Sequence, residues 1–359
     1  MGYCIYYKKS EPDVHFTKRE HVIPAGLGGI SKLPLGSVSD EANEYFSPLE
    51  MEILRDSLLA VNRNNVGPGK RGSLNVKKVK APTMRVMKKE DSSGENYNIG
   101  FVFVGESYII SQIALDFNDK ENSYIPSYHS TVFDIQQGKQ TLLDFRKNLI
   151  GFFSNTNREF KLIDMPYLTD SHFINIGCFK GKWFAATSHK IINMDYLAWM
   201  LLPVLKEGQL KDNEPVLEPK ALLKYTYKFD INTSLFLFIY AKTAFNALAF
   251  LKGSDFASKE MFDNVRKSIL IHDDSLNDFI VNEYDINNEL KDIAIRIPEK
   301  AHFVIITSNF NSVIAYVSFY NERPALVKLT DNYEGEAFTE AIVCDWKNRN
   351  EFTLDELPV

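Results

Sequence analysis

The chain has 359 residues, more than one hydrophobic core usually fills, and its 45 % apolar and 25 % charged fractions exclude a disordered or fibrous polypeptide in favour of two or three folded domains. A formal charge of −6 argues against a uniformly basic nucleic-acid binder, yet Arg63 to Lys89 holds nine Lys and Arg and no acid, which leaves −15 for the rest. Three scattered cysteines, Cys4, Cys178 and Cys344, make no disulfide framework and point to a reducing compartment, the cytoplasm.

The opening "MGYCIYYKK" lacks the apolar stretch and small-residue cleavage site of a secretory signal, so no targeting segment is expected. Residues 1–60 read as two short strands around "HVIP", a glycine turn at Gly26, Gly28 and Gly29, and a helix from about Asp40 to Ala60. "SDEAN" supplies cap-type residues at the helix start, and Leu49, Ile53 and Leu54 share one of its faces. The following "NVGPGKRGS" is turn-rich but is no phosphate loop, because no Lys precedes Ser73. "EDSSGEN", Glu90 to Asn96, reads as a linker, which places a boundary near residue 90 and divides the chain into 1–90 and 91–359.

Beyond it, "YNIGFVFVGESYIISQIALDF" and "HFINIGCFKGKWFAATSH" are strand-like, with "KGK" as a hairpin turn. Helices are predicted from about Met194 to Lys206 behind Asn193, from Leu235 to Leu251 ending at Gly253, and from Lys259 to Leu270 behind Ser258. The Leu235 to Leu251 run is short for a bilayer span and carries Lys242, Thr243 and Asn246, so a buried helix is expected and no membrane association. Asn246 in "AFNALAF" reads as a buried amide that fixes helix packing. "AHFVIITS", "SVIAYVSFY" and "ALVKL" close the chain as an antiparallel meander, making the fold class α+β.

Chemistry concentrates between Thr17 and Ser47. Phosphodiester hydrolysis needs a deprotonated water and positive charge near the phosphate oxygens, which one imidazole and one hard divalent cation can supply. His21 suits the base, while carboxylate and amide oxygens, Glu20 and Asn43, suit Mg²⁺ or Mn²⁺. Neighbouring strand residues point to opposite faces, so Glu20 and His21 converge only if the strand bends, and Pro24 and Gly26 suit such an irregular ending. The basic strip beside this segment is suited to phosphate, with Arg63, Lys70, Arg71, Lys77 and Lys78 as candidate contacts. His15 lies near this segment and is read as a surface residue or a phosphate contact as readily as a ligand, whereas His129, His172, His189, His272 and His302 lack metal-type spacing and are expected in packing or surface roles.

"EHVIPAGLGG" through "SVSDEAN" resembles the HNH, or ββα-metal, endonuclease motif, in the subgroup that reads Glu-His-Ile-Ile-Pro, then Leu-Gly-Gly, then Val-Cys-x-x-Cys-Asn. The resemblance implies an N-terminal ββα-metal module with His21 as general base, Glu20 and Asn43 as ligands of Mg²⁺ or Mn²⁺, DNA as substrate with RNA not distinguished, and a role in bacterial anti-phage defence or restriction. "NRNNVGPGKRGSL" and "AKTAFNALAFLKGSDFASKEMFDNVRKSIL" resemble parts of larger bacterial HNH proteins, which implies that residues 91–359 serve regulation, a protein partner or substrate recognition.

The pattern departs from the family at a four-cysteine zinc knuckle. Cys4 is present, but Tyr7, Ser39 and Ala42 stand at the other positions, so no structural zinc is expected. Either packing by Tyr6, Tyr7 and Phe46 replaces the zinc brace, or the chain is a catalytically inactive HNH scaffold that binds nucleic acid or another protein. The middle HNH position is not evident in "SKLPLGS".

Overall fold

A computed structural model describes residues 2–69, 72–76, 79, 82–91, 94–118, 123–129, 142–155, 159–163, 172–188, 194–207, 211–213, 232–281, 293, 296–309 and 311–357. The protein is mixed α+β and ends in an antiparallel sheet, as the sequence suggests. The chain divides into two compact units, one formed by Met1–Val79 together with Phe229–Val359 and the other by Lys80–Lys228.

The first unit begins without the two expected strands. Isolated antiparallel bridges join Tyr3 to Ser10 and His21 to Lys32. The second is a miniature hairpin, in which Val22 N–H donates to the Ser31 carbonyl at 3.0 Å and Leu33 N–H to the Glu20 carbonyl at 2.8 Å. A short 3₁₀ turn at Ala25–Leu27 fills its tip. Gly28 there has φ 96°, and a Cβ on Gly29 would lie 1.9 Å from the Ile23 carbonyl oxygen, so no larger side chain fits at Gly29.

Helix α1, Asp40–Asp56, starts where the polar run placed it, with Ser39 accepting from Ala42 N–H. The single helix expected to Ala60 is in fact two. Ser57 accepts from Leu59 N–H to start α2, Leu58–Asn65, while its hydroxyl donates to the Ile53 carbonyl. A side chain that satisfies the backbone on both sides of a break stabilises a kink that apolar spacing does not reveal.

The second unit carries a three-stranded antiparallel sheet of β1 (Arg85–Asp91), β2 (Gly94–Phe103) and β3 (Glu106–Ile109). The "EDSSGEN" segment is therefore not a linker between domains, because Glu90 pairs with Glu95 and Asp91 with Gly94, within the antiparallel pair β1 and β2. Turn and linker share one composition, and only pairing partners tell them apart. The unit also holds β4 (Ser111–Asn118), β5 (Ser123–His129), helix α3 (Leu142–Ser154), β6 (Phe160–Ile163), β7 (Phe173–Phe179), β8 (Lys182–Thr187), helix α4 (Met194–Glu207) and β9 (Lys211–Asn213). The strands form one sheet ordered β6-β8-β7-β4-β5-β9. The expected "KGK" turn joins β7 to β8, with Lys180 at φ 49° and Gly181 at φ 77°. Phe145 and Leu149 of α3 and Leu197 and Leu201 of α4 close its core over Ile113, Leu115 and Ile176.

The chain returns to the first unit through α5, Thr233–Lys252, begun by Asn232 accepting from Leu235 N–H and ended at Gly253 with φ 91°. By length and composition α5 could cross a membrane, but 72 % of its apolar window is buried within the chain. The next helix begins later than the sequence suggests. Glu260–Phe262 is a 3₁₀ turn, and α6 runs Asp263–Ile271 without a side-chain cap from Ser258. Strands β10 (Ile280–Val281), β11 (His302–Asn309), β12 (Ser312–Phe319), β13 (Glu322–Thr330), β14 (Thr339–Asp345) and β15 (Asn350–Thr353) form an antiparallel sheet ordered β10-β13-β12-β11-β14-β15.

One core unites the ends of this unit. Cys4, Tyr6 and Phe46 from the N-terminal segment, Phe238 and Phe245 from α5, and Val304, Val317 and Ile342 from the sheet belong to a single buried cluster. The boundary accordingly falls between Val79 and Lys80 rather than at residue 90, and residues 1–79 are completed by 229–359. A segment as small as 1–79, with its only long helix half polar, buries too little apolar surface by itself and takes the rest from a distant part of the chain.

Candidate functional site

The polar residues around the start of α1 are what hold the segment before Glu20. Asp40 accepts from Thr17 N–H, from the Thr17 hydroxyl at 2.6 Å and from Lys18 N–H at 2.9 Å. Glu41 accepts from His15 N–H and pairs with His15 Nδ1 at 2.8 Å. The hydrogen bond to Glu41 raises the His15 imidazole above its ordinary value, and the same contact draws Glu41 down to about 2. His15 thus ties a strap to a helix start and stands apart from His21 chemistry.

The hairpin tip is held from the far end of the chain. Glu351 of β15 accepts from Ile30 N–H at 2.8 Å and from Ser31 N–H at 2.6 Å. Buried His302 of β11 bonds the Leu27 carbonyl through Nε2 at 2.9 Å, and its Nδ1 accepts from Tyr320 N–H at 2.9 Å. That pattern requires a neutral imidazole with its proton on Nε2. Burial accordingly lowers the His302 pKa to about 3. His302 is a packing residue, as its lack of metal-type spacing suggests.

His21 lies in this clamped hairpin, half-buried, and no hydrogen bond engages its imidazole among the described residues. Burial first, and then the Lys32 charge, push its pKa below the ordinary histidine value. Its ring is therefore a neutral base at neutral pH. Its carbonyl accepts from Asn246 Nδ2 at 3.0 Å, while Asn246 Oδ1 accepts from the buried Tyr6 hydroxyl at 2.6 Å. Asn246 is the packing amide the sequence suggests, and it fixes the backbone of His21.

Glu20, the neighbour of His21, meets a partner not recognised from sequence. Its Oε1 accepts from the ammonium of Lys242 on α5, which also donates to Glu50 Oε1 at 2.7 Å. Lys242 is only 1 % exposed and lies 5.2 Å from the centroid of the Phe46 ring. Burial works against its charge, but Glu20 and Glu50 outweigh burial and hold the amine protonated. A signal was legible. Lys242 and Asn246 sit four apart on a largely apolar helix and so share one face, as do Asn43, Phe46 and Glu50, three and four apart along α1.

Asn43 is not a cap, a role Ser39 fills. Both polar atoms of its amide are buried without a hydrogen-bond partner among the described residues. An unsatisfied buried amide is costly, and an oxygen of this type is a ligand that Mg²⁺ or Mn²⁺ accepts. Counted as ions, Glu20, Glu50 and Lys242 carry a formal −1, while burial, the largest effect on Glu50, raises its carboxyl pKa. A carboxylate and an amide oxygen, Glu20 and Asn43 are by donor chemistry of the type a hard divalent cation accepts. Among the described residues no cluster of three or more His, Cys, Asp or Glu is placed for a metal.

The knuckle positions converge. Cys4 Sγ accepts from Ser39 N–H at 3.4 Å and from Tyr7 N–H at 3.5 Å, and Ser39 Oγ accepts from Ala42 N–H at 3.3 Å. Positions 4, 7, 39 and 42 are thus neighbours held by hydrogen bonds around one thiol. Tyr6 packs on Phe46 at 4.7 Å and on Phe245 at 5.4 Å between ring centroids.

Arg63, expected among the phosphate contacts, is turned to the backbone. Its Nε donates to the Gly26 carbonyl at 2.9 Å and its Nη1 to the Leu54 carbonyl at 3.2 Å, and burial pulls its pKa down. It braces the glycine turn against the end of α1. Lys70, Arg71, Lys77 and Lys78 lie outside the described residues, and the basic strip crosses the boundary between the two units. Comparison with protein-family models, with curated proteins and with solved structures finds no match to the chain.

Proposed function

We propose that the chain is a metal-dependent endonuclease of the HNH type that hydrolyses phosphodiester bonds in DNA in the cytoplasm. The observation that carries this reading is the His21 imidazole, kept neutral chiefly by burial and engaged by no hydrogen bond among the described residues, in a clamped hairpin directly beside Glu20. The order of that hairpin and α1, and the meeting of positions 4, 7, 39 and 42, add support from the resemblance. His21 takes the proton of the attacking water on an imidazole nitrogen, and Asn246 fixes the peptide that carries the ring. Glu20 and Asn43 would hold Mg²⁺ or Mn²⁺, which when bound supplies positive charge beside the phosphate oxygens. Lys70, Arg71, Lys77 and Lys78 contact phosphates without reading sequence, so neutralising all four should flatten the salt dependence of binding by about 0.9 in log–log slope per phosphate lost. Regulation or a protein partner belongs on this reading to the 80–228 unit, since residues 229–359 help to build the site.

A second reading, an inactive HNH scaffold that binds nucleic acid or another protein, is favoured by one observation, that Lys242 already engages Glu20. Incubation of the purified protein with plasmid DNA and matched RNA, in Mg²⁺ or Mn²⁺, separates the two. The first reading expects DNA cleavage that EDTA abolishes and that His21→Ala reduces by about 10²–10⁴-fold, the range of a positioned general base. Binding without cleavage in every metal supports the second, and near wild-type turnover by His21→Ala removes His21 as the base.

A further inference from the structure

We propose that Lys242 and Glu50 are positioning residues of the His21 site, Lys242 acting as a resident cation that shares Glu20 with any divalent ion and sets how tightly that ion binds. The inference rests on the reading of Glu20 and Asn43 as metal ligands. Lys242 reaches Glu20 from 222 positions away in the sequence, on a helix whose other buried side chains are nearly all apolar. A buried ion pair is weak evidence for stability, because well-packed apolar side chains of similar volume often serve as well or better. The core around Tyr6, Phe46 and Phe245 could have been closed by a methionine at position 242. What an ammonium does there, and a thioether cannot, is hold two carboxylate oxygens at once.

The charge count decides the direction. With Lys242 present, Glu20 and Glu50 leave at most one formal negative charge, and the buried Asn43 amide, on the α1 face that carries Phe46 and Glu50, has no partner among the described residues. A divalent ion drawn to Glu20 meets a carboxylate already hydrogen-bonded to an ammonium, and it is repelled by that ammonium at short range. Removing the Lys242 charge leaves two carboxylates and an amide, a harder and more negative oxygen set. Removing the Glu50 charge instead leaves Lys242 wholly to Glu20. A cation that shares the site therefore gives the two substitutions opposite signs, whereas a brace that only shapes the core would weaken ion binding in both.

Binding of Mn²⁺ to the full-length protein, followed by the electron paramagnetic resonance signal of free Mn²⁺, measures this without reference to cleavage. Lys242→Met, which keeps an unbranched side chain one heavy atom shorter, should tighten Mn²⁺ binding by about tenfold or more, a modest share of what one unit charge exerts at contact distance. Glu50→Gln should weaken it, Lys242→Arg should leave it near wild type, and adding Glu20→Gln to Lys242→Met should cancel the gain. Weaker or unchanged binding by folded Lys242→Met overturns the proposal. So does the absence of Mn²⁺ binding in both wild type and that variant. If Lys242→Met does not fold, Glu50→Gln decides, and tighter binding there overturns it. A wild type that binds no Mn²⁺ beside a Lys242→Met protein that does would support the role of Lys242 while removing the metal from the proposed nuclease, and wild-type cleavage tests that nuclease separately.

Discussion

Asn246 joins two parts of the chain that must meet for His21 to be held, and its removal has a magnitude that follows from its two hydrogen bonds. Asn246→Ala leaves the Tyr6 hydroxyl, on a side chain 1 % exposed, and the His21 carbonyl without partners. Each orphaned group costs about 1–3 kcal/mol, so a loss of about 2–6 kcal/mol is expected. Tyr6→Phe removes one donor and leaves Asn246 Oδ1 unpaired, for about 1–2 kcal/mol. In the double variant the Tyr6 penalty disappears, so the two losses should fall short of additivity by about 1 kcal/mol. Trp346 lies in the same unit, while Trp183 and Trp199 lie in the other, so Trp183→Phe and Trp199→Phe make Trp346 the sole tryptophan reporter of this core during urea unfolding. A loss under about 0.5 kcal/mol for Asn246→Ala, or additivity within that margin, would refute the claim that this amide links Tyr6 to His21.

His302 should make stability depend on pH. Its folded pKa of about 3 lies below the ordinary histidine value, so its contribution is complete above about pH 6.5 and falls as pH drops, with a slope approaching 1.4 kcal/mol per unit. Urea unfolding of His302→Gln between pH 7 and 5 should show that slope reduced by about one proton, and an unaltered slope counts against a neutral buried imidazole. Tyr7→Cys, Ser39→Cys and Ala42→Cys together should give, with Cys4, one thiolate-type Co²⁺ site with intense visible tetrahedral bands; a folded variant with no stoichiometric site would show that the four positions do not form a knuckle frame. A fragment of residues 80–228 should unfold cooperatively by itself, whereas residues 1–90 should show no cooperative transition, and the reverse result would undo the domain division.

Much of the architecture is legible locally. The start of α1, the extent of α5 and the meander of β11 to β13 follow from caps, apolar runs and turn residues that lie within a few positions of what they determine. Glu20, His21 and Asn43 stand out in the sequence by their spacing, and the structure places the first two in one hairpin and the third in the first turn of α1. The pairing of β14 with β11 is not, because β14 crosses past β12 and β13 and no nearby residue encodes that register. Lys242 is a similar case, since its place on a helix was readable but its carboxylate partners were not. Arg63 shows the converse error, where a run of like charge suggests an open face while one member of the run is committed to the backbone.

The clasp of Glu351 on Ile30 and Ser31 has a consequence for the order in which the protein is made. At roughly 5–20 residues per second, the ribosome takes roughly 14–54 s to travel from residue 79 to residue 351. Until residue 252 is made the N-terminal segment lacks α5 to cover Tyr6 and Phe46, and until residue 351 it lacks the carboxylate that pins its glycine turn, while the unit of residues 80–228 can already fold. A nascent chain is thus barred from assembling its histidine hairpin beside the messenger RNA that encodes it. The same delay leaves an aromatic surface uncovered during translation and makes this segment the expected client of chaperones that bind growing chains.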